Sequence, residues 1–346
     1  MVVRQHRRIV SLVAVVIGLV LMAGLAYLGA GLFLYDQISR VKSGCAGRFA
    51  TVTPANLDYR LAEDDLAGSL VIRFPLAAYR MPEYQEVSFP SRPDERFPSV
   101  TIRAWWIPGT RTDAPAVILV HGRHSCRKDW TVTIPAAMLH RAGFATLLID
   151  LRNQGASDLS EGPTQGRYYG GLVEYRDVLG AWDWLIAQRG LSASSIGLFG
   201  TSMGGATVIY AGAHEPAVPA VWEDSSFADT ERRIAEEIDQ SFGGPMSLIA
   251  PAGGIVAPLV AGVDIYGETP LSDLAALRGR SLFIVHGEAD QVTLPHHAVD
   301  LYRRAQESGV RVELWKVPYA GHTWEVVVDP VQYEQRLVAF FGAQLH

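Results

Sequence analysis

The run Ile196-Gly-Leu-Phe-Gly-Thr-Ser-Met-Gly-Gly205 constrains this chain more than any other stretch. An apolar segment suited to a buried strand leads at once into Gly200-Thr-Ser-Met-Gly204, and the small residues of Gly205-Ala-Thr-Val-Ile-Tyr-Ala211 can then open a helix. The pattern G-x-S-x-G between strand and helix forces strained backbone angles on Ser202, and a side chain at Gly200 or Gly204 would collide with the neighbouring strand or helix. The result is a serine hydroxyl held proud of a sheet edge, with the Met203 N–H facing any negative charge that develops beside it.

Strand and helix alternate on both sides of that turn. Gln85-Glu-Val-Ser-Phe89 and Val100-Thr-Ile-Arg-Ala-Trp-Trp-Ile107 read as an antiparallel opening hairpin. Ala116-Val-Ile-Leu-Val120 reads as a strand buried on both faces of a parallel sheet. Further strands are expected at residues 144–149, 218–222, 281–285 and 310–317, with helices near 130–141, 171–188, 295–306 and 330–341. Repeated βα units after an antiparallel start predict one doubly wound, mostly parallel domain over residues 84–346. Almost sixty residues separate the strand ending near Trp222 from the one at Ser281, too many for a simple crossover. This insertion, about 228–275, holds the apolar run Met246 to Val260 and has three readings: a crossover helix, a cap giving an apolar pocket over Ser202, or a surface touching the bilayer.

Residues 9–35 carry no charge, and as a helix they span about 40 Å, enough to cross a hydrocarbon core of roughly 30 Å. The run is longer than the apolar part of a cleavable signal and has no polar face, so a transmembrane anchor is expected, after a tail at 1–8 and before a stem at 36–83. Arg4, Arg7 and Arg8 before the span, against Arg40, Lys42 and Arg48 after it, tilt the expectation slightly toward a cytoplasmic N-terminus and an extracytoplasmic catalytic domain. With 49% apolar residues the chain can bury a large core. A net charge of -6 without a long basic run makes nucleic acid a poor partner. Cys45 and Cys126 are the only cysteines; one bridge is conceivable, but their separate locations favour two free thiols.

A serine hydroxyl needs a base within about 3 Å, itself oriented by a third group. His322, in the loop Pro318-Tyr-Ala-Gly-His-Thr-Trp324, is the expected base, and Asp290, just after the strand at Ser281, the expected orienting acid. Glu288 and Asp224 are reserves for the acid. A second oxyanion donor is expected from the loop His121-Gly-Arg-His-Ser-Cys-Arg127, where Gly122 permits close approach and Arg123 supplies the N–H. His121 is expected to brace that loop, a metal pair with His124 being the weaker reading, and no metal or cofactor is expected. Arg123 and Arg127 could alternatively hold an anionic substrate group. Asp150 and Arg152 are expected to form an ion pair shaping the site floor.

Taken together, His121-Gly, Asp150-x-Arg-x-x-Gly-x-Ser157, Gly200-Thr-Ser-Met-Gly-Gly205, Asp224-Ser-Ser-Phe, His286-Gly-x-x-Asp290 and Gly321-His322 resemble the α/β-hydrolase superfamily, in particular its Bem46-like and serine-aminopeptidase-like group. The resemblance runs from about Glu86 to His346. It implies Ser202, Asp290 and His322 as a catalytic triad, with the Met203 and Arg123 N–H groups as oxyanion hole. Arg123 stands where relatives commonly have a small polar or aromatic residue, and the apolar cap matches no family pattern. The expected activity is hydrolysis of a small carboxylic ester by a membrane-anchored serine enzyme. A peptidase acting on peptide-like substrates, with Glu231, Glu236 or Glu237 holding the substrate amine, and a catalytically silent scaffold are the alternatives.

Overall fold

A computed structural model of the chain describes residues 2–42, 45–59, 70, 71, 73–244 and 246–346. Part of the expected stem, residues 43, 44, 60–69 and 72, lies outside the described residues. Eight strands form one sheet: β1 (Gln85–Pro90), β2 (Thr101–Ile107), β3 (Ala116–Val120), β4 (Ala145–Ile149), β5 (Ile196–Thr201), β6 (Ala220–Asp224), β7 (Ser281–Gly287) and β8 (Arg311–Val317). Their order is β1-β2-β4-β3-β5-β6-β7-β8. β1 and β2 pair antiparallel as the alternating sequence requires, β2 joins β4 antiparallel, and all later pairings are parallel.

Because successive side chains of a strand point to opposite faces, each central strand feeds two cores. Ile118, Val120, Leu198 and Ile284 pack against the helices Tyr175–Arg189, Met203–His214 and His296–Ser308. Val117, Leu119, Phe199 and Phe283 face the helices Trp130–Arg141 and Pro330–Gln344. All five residues of β3 are buried, which is why its sequence shows no alternation. The active edge is therefore fixed by two full layers of packing, one on each side of the sheet.

Three helices outside this sandwich matter for the site, and we label them α1 (Val2–Ser39), α2 (Thr230–Phe242) and α3 (Ala250–Ala261). The insertion is a helical cap built by α2 and α3, joined by a 3-10 turn at Met246–Ile249. Asp229 caps α2 by accepting from the Arg232 N–H, and Ile234 and Ile238 are buried below it. α1 carries one segment, Ile9–Ser39, long and apolar enough to cross a membrane, and none of its most apolar window is buried in the protein.

The anchor was expected to end at residue 35 and the stem to begin at 36; the helix instead runs on through Ser39, and its end, from within the expected anchor, docks on the domain. Leu34 and Tyr35 are each only 4% exposed, against 51% at Leu32 and 58% at Phe33. Gly31 permits the docking, since a Cβ there would lie 2.5 Å from the Ala252 carbonyl oxygen of α3. The polar end is tied by Arg167, which reaches Asp36 at 2.8 Å and Ser39 Oγ at 2.8 Å. A second correction concerns the cysteines. The stem folds back so that the helical turn Cys45–Arg48 meets the loop after β3, and Cys45 is disulfide-bonded to Cys126 with their Cα atoms 5.8 Å apart.

Candidate active site

β5 ends at Thr201, and Ser202 follows with φ 54° and ψ −122°, a left-handed conformation that costs a non-glycine residue about 1–3 kcal/mol. Its N–H donates to the Asp224 carbonyl at 2.7 Å, which anchors the turn to β6. The turn closes so tightly that a Cβ on Gly200 would sit 2.1 Å from the Gly204 carbonyl oxygen, and one on Gly204 would sit 2.3 Å from that of Val120. Met203 then begins a helix, so its N–H has no intrahelical partner.

The structure brings Ser202, His322 and Asp290 into one line. His322 Nε2 lies 2.8 Å from Ser202 Oγ, and His322 Nδ1 lies 2.7 Å from Asp290 Oδ2. Burial alone would raise the Asp290 pKa, but hydrogen bonds from His286 and His322 outweigh it and hold the carboxyl well below the usual carboxylate range. An ionised carboxylate only accepts, so His322 carries its proton on Nδ1 and leaves Nε2 to accept from the serine hydroxyl. The other Asp290 oxygen accepts the N–H groups of Val292 at 2.8 Å and Thr293 at 2.9 Å. The two loops bearing the acid and the base are packed together: a Cβ on Gly287 would lie 2.3 Å from the Ala320 carbonyl oxygen, which also accepts the Ala289 N–H.

Neither reserve acid reaches His322. Glu288 turns outward to Lys316 at 3.2 Å, and Asp224 is buried with both oxygens engaged, by Tyr333 Oη at 2.6 Å and Ser225 Oγ at 3.0 Å. Asp224 belongs instead to a network the sequence reading missed. Ser225 Oγ also lies 2.7 Å from Glu325 Oε1 and accepts the N–H of Thr323, the residue after His322. Burial pushes the pKa of both Glu325 and Asp224 up. The one hint in the sequence was Glu325 standing three residues beyond the histidine.

The loop 121–127 crosses the site as expected, with the Gly122 backbone so near that a Cβ there would be 3.1 Å from Ser202 Cβ. His121 is buried and uses both ring nitrogens: Nδ1 donates to the Gly122 carbonyl at 2.8 Å and Nε2 accepts the Leu151 N–H at 3.1 Å. With His124 Nδ1 accepting the Lys42 N–H, this leaves no histidine pair for a metal in the loop. The expected Asp150–Arg152 ion pair does not form. Arg152 instead grips Asp177 at 2.7 and 2.9 Å, while Asp150 accepts the N–H groups of Arg127 and Ala156 at the base of the loop. The strand end turns the two side chains apart, so each serves a different element. Arg127 is held by Glu86 and Asp150 and is 6% exposed at its side chain, which removes it from the substrate side.

Residues 115–246 match a family model described as the alpha/beta hydrolase fold. The chain carries that fold. Among solved structures it is similar to the Pyrococcus furiosus esterase Pf2001, with a TM-score of 0.60 and 22% identity, covering 76% of this chain and 93% of that one. It is also similar to a Mycobacterium tuberculosis puromycin-hydrolyzing peptidase, with a TM-score of 0.60 and 16% identity over 78% of this chain and 40% of that one. Two Escherichia coli proteins, each described as an uncharacterized 31.7 kDa protein in the traX-finO intergenic region, are 31% identical over 137 residues, 39% of this chain. The chain spans about half the length of these curated relatives, 45% of each. These likenesses are at the level of the fold.

In this α/β-hydrolase fold the cap closes a cavity of about 260 Å³ above Ser202. Its apolar side comes from three sources: the cap, the sheet domain through Met203, Phe227 and Val292, and the end of α1, which contributes Leu34, Tyr35 and Ile38. Its polar side is formed by Arg123, Glu237 and Arg233. Arg123 is spent on a bidentate pair with Glu237 at 2.9 and 3.1 Å and also donates to Tyr168 Oη at 3.0 Å. His124 is pushed down to about 4, first by burial and then by the cations of Arg123 and Lys42, so it is neutral here. Glu236 of the cap and His296 and His297 at the start of the helix His296–Ser308 bring three potential ligand atoms within 4.8 Å of one another. The His297 Nδ1 accepts the Ala228 N–H, which puts the ring proton on Nε2, aimed at Glu236 at 3.0 Å. That tautomer closes the nitrogen a metal would need.

Proposed function

We propose that the chain is a membrane-anchored serine hydrolase of carboxylic esters. The observation that carries this reading is the unbroken line from Asp290 through His322 to Ser202, at 2.7 and 2.8 Å. The Ser202 hydroxyl attacks the ester carbonyl as His322 Nε2 takes its proton. Negative charge develops on the carbonyl oxygen, facing the N–H groups of Met203 and Arg123. The tetrahedral adduct collapses as the imidazolium returns the proton to the leaving alkoxide, giving an acyl-serine and a free alcohol. Water deprotonated by His322 then attacks the acyl-serine, releasing the acid and restoring the serine. Asp290 holds the imidazole tautomer throughout.

Esters are preferred over peptides because none of Glu231, Glu236 and Glu237 is placed to hold a substrate amine at Ser202. Glu237 is paired with Arg123, Glu236 with His296 and His297, and Glu231 is exposed and outside the cavity lining. The motif set still resembles the Bem46-like and serine-aminopeptidase-like group, and that finer placement is part of this proposal. Anchoring through α1 is supported by its unburied apolar length, and an extracytoplasmic domain by the Cys45–Cys126 bond, which persists in oxidising compartments. Labelling by a fluorophosphonate probe, together with hydrolysis of short acyl esters, tests the reading. Both are expected in the wild type and absent in Ser202→Ala; failure of the wild type to label removes the proposal.

A further inference from the structure

The polar side of the cavity is out of balance. Among its lining residues two guanidinium groups, Arg123 and Arg233, share one carboxylate, Glu237, with Glu236 and Asp290 acting on Arg233 from outside the lining, and the nearby His124 is neutral. Glu237 makes two short hydrogen bonds to Arg123 and leaves Arg233 a single contact at 3.3 Å, through Nη2. Arg233 Nη1 is buried and has no hydrogen-bond partner, and the side chain is only 11% exposed. Arg233 lines the same cavity as Ser202 and His322, and its burial pulls its pKa down. An unpaired buried donor on a cation is costly, so a chain keeps one where a ligand completes it.

Opposite this charge stands the apolar wall supplied by α1. Twenty residues from Ile9 reach about 30 Å along the helix, so a span starting there ends near Leu28, and Leu34 lies only about 9 Å beyond it. The cavity therefore opens within two helical turns of the bilayer surface. Ile255, Leu259 and Val260 of α3, the helix packed on α1, are also exposed. These apolar side chains offer an acyl chain a surface along α1 on the side of the cavity.

We propose that Arg233 is a subsite for an anionic group, and that the substrate is an acyl ester bearing a phosphate or carboxylate, with its chain along the α1 wall. The proposal rests on the ester-hydrolase reading above and narrows it to one substrate class. Arg233 acts by binding, its guanidinium rotating to bring the buried Nη1 onto the anion, while Arg123 keeps the loop and Glu237 in place.

The test uses the full-length protein in micelles and compares kcat/KM for a monoacylglycerol phosphate and a monoacylglycerol of the same chain. The wild type is expected to favour the phosphate ester by about tenfold or more. Arg233→Gln is expected to bring that ratio close to one, and Arg233→Lys to keep part of it. A wild-type ratio near one, or a ratio that Arg233→Gln leaves intact, overturns the subsite; should the glutamine variant not fold, the wild-type ratio and the lysine variant decide. Inorganic phosphate separates a free anion from an amphiphile. It is expected to leave monoacylglycerol hydrolysis unchanged where the monoacylglycerol phosphate competes, and equal inhibition by both overturns the assignment of the chain to the α1 wall. If neither ester is turned over and Ser202 does not label, the hydrolase reading falls instead. Binding of the two lipids to Ser202→Ala then decides the subsite separately: tighter binding of the phosphate supports it, and equal binding overturns it.

Discussion

At the scale of single residues, the chemistry depends on which proton sits where. Asp290 owes its low pKa to two histidines, His286 at 3.3 Å and His322 at 2.7 Å. Asp290→Asn keeps the shape but offers an N–H where His322 Nδ1 also needs to donate. We expect kcat to fall by about 10³- to 10⁴-fold with KM little changed, read by steady-state ester hydrolysis, while Glu288→Gln stays near wild type. A second residue links the site to pH. Glu223 is fully buried, with Oε2 accepting the Ser226 N–H and Oε1 unpartnered, and burial pushes its pKa up to about 8 against a lowering from His286. A raised carboxyl pKa means the folded state holds the proton more tightly. Its contribution to stability is complete below the unfolded value, near 4.5, and is lost as pH rises through about 8. Glu223→Gln mimics the protonated form, so we expect its Tm to match wild type near about pH 5 and to exceed it near about pH 9 by thermal denaturation. Ser202, His322 and Asp290 were legible because each sits in a short motif at a strand end. Arg233 and Glu325 were not: their roles come from cap and loop packing, which no local pattern encodes.

At the scale of elements, the loop after β3 is held from three sides. His121 braces it from within, Asp150 from the sheet below, and the Cys45–Cys126 bond from the segment following α1. That bond closes a sequence separation of 81 residues. In the chain-entropy view, closing a loop of this size stabilises by about 4.5 kcal/mol. Cys45→Ser is expected to lower the urea midpoint by a matching amount and to reduce kcat, because Cys126 sits three residues from Arg123. Adding reductant to the wild type should reproduce both effects, and equal midpoints with and without reductant would contradict it. The alternating strands and amphipathic helices of the sandwich were readable from periodicity, since their burial follows a fixed face. The pairing of Cys45 with Cys126 was not, because it depends on a reversal of chain direction within the stem. The Arg152–Asp177 pair was hidden for a related reason, the partner lying in a helix reached only through the turn at the end of β4.

At the scale of the whole molecule, one helix does two jobs. α1 has the length and apolarity of a membrane span, yet its final turns wall the cavity over Ser202. If the domain lies outside the cytoplasm, a membrane-impermeant fluorophosphonate should label Ser202 in intact cells as fully as in permeabilised ones. Labelling only after permeabilisation would place the domain on the other side. The sequence revealed the long apolar helix and the sheet separately, one by an unbroken apolar run and the other by its repeating strand and helix patterns. Their contact at Gly31 and Ala252 is a long-range packing event that two adjacent small surfaces make possible without announcing it. A further consequence lies in that rigid connection. A span that is too long or too short for the lipid around it adjusts by leaning, at a cost of fractions of a kcal/mol per Å. If α1 crosses a bilayer, any such lean reaches Leu34, Tyr35 and Ile38 through the same helix, so the span and one wall of the cavity would move together.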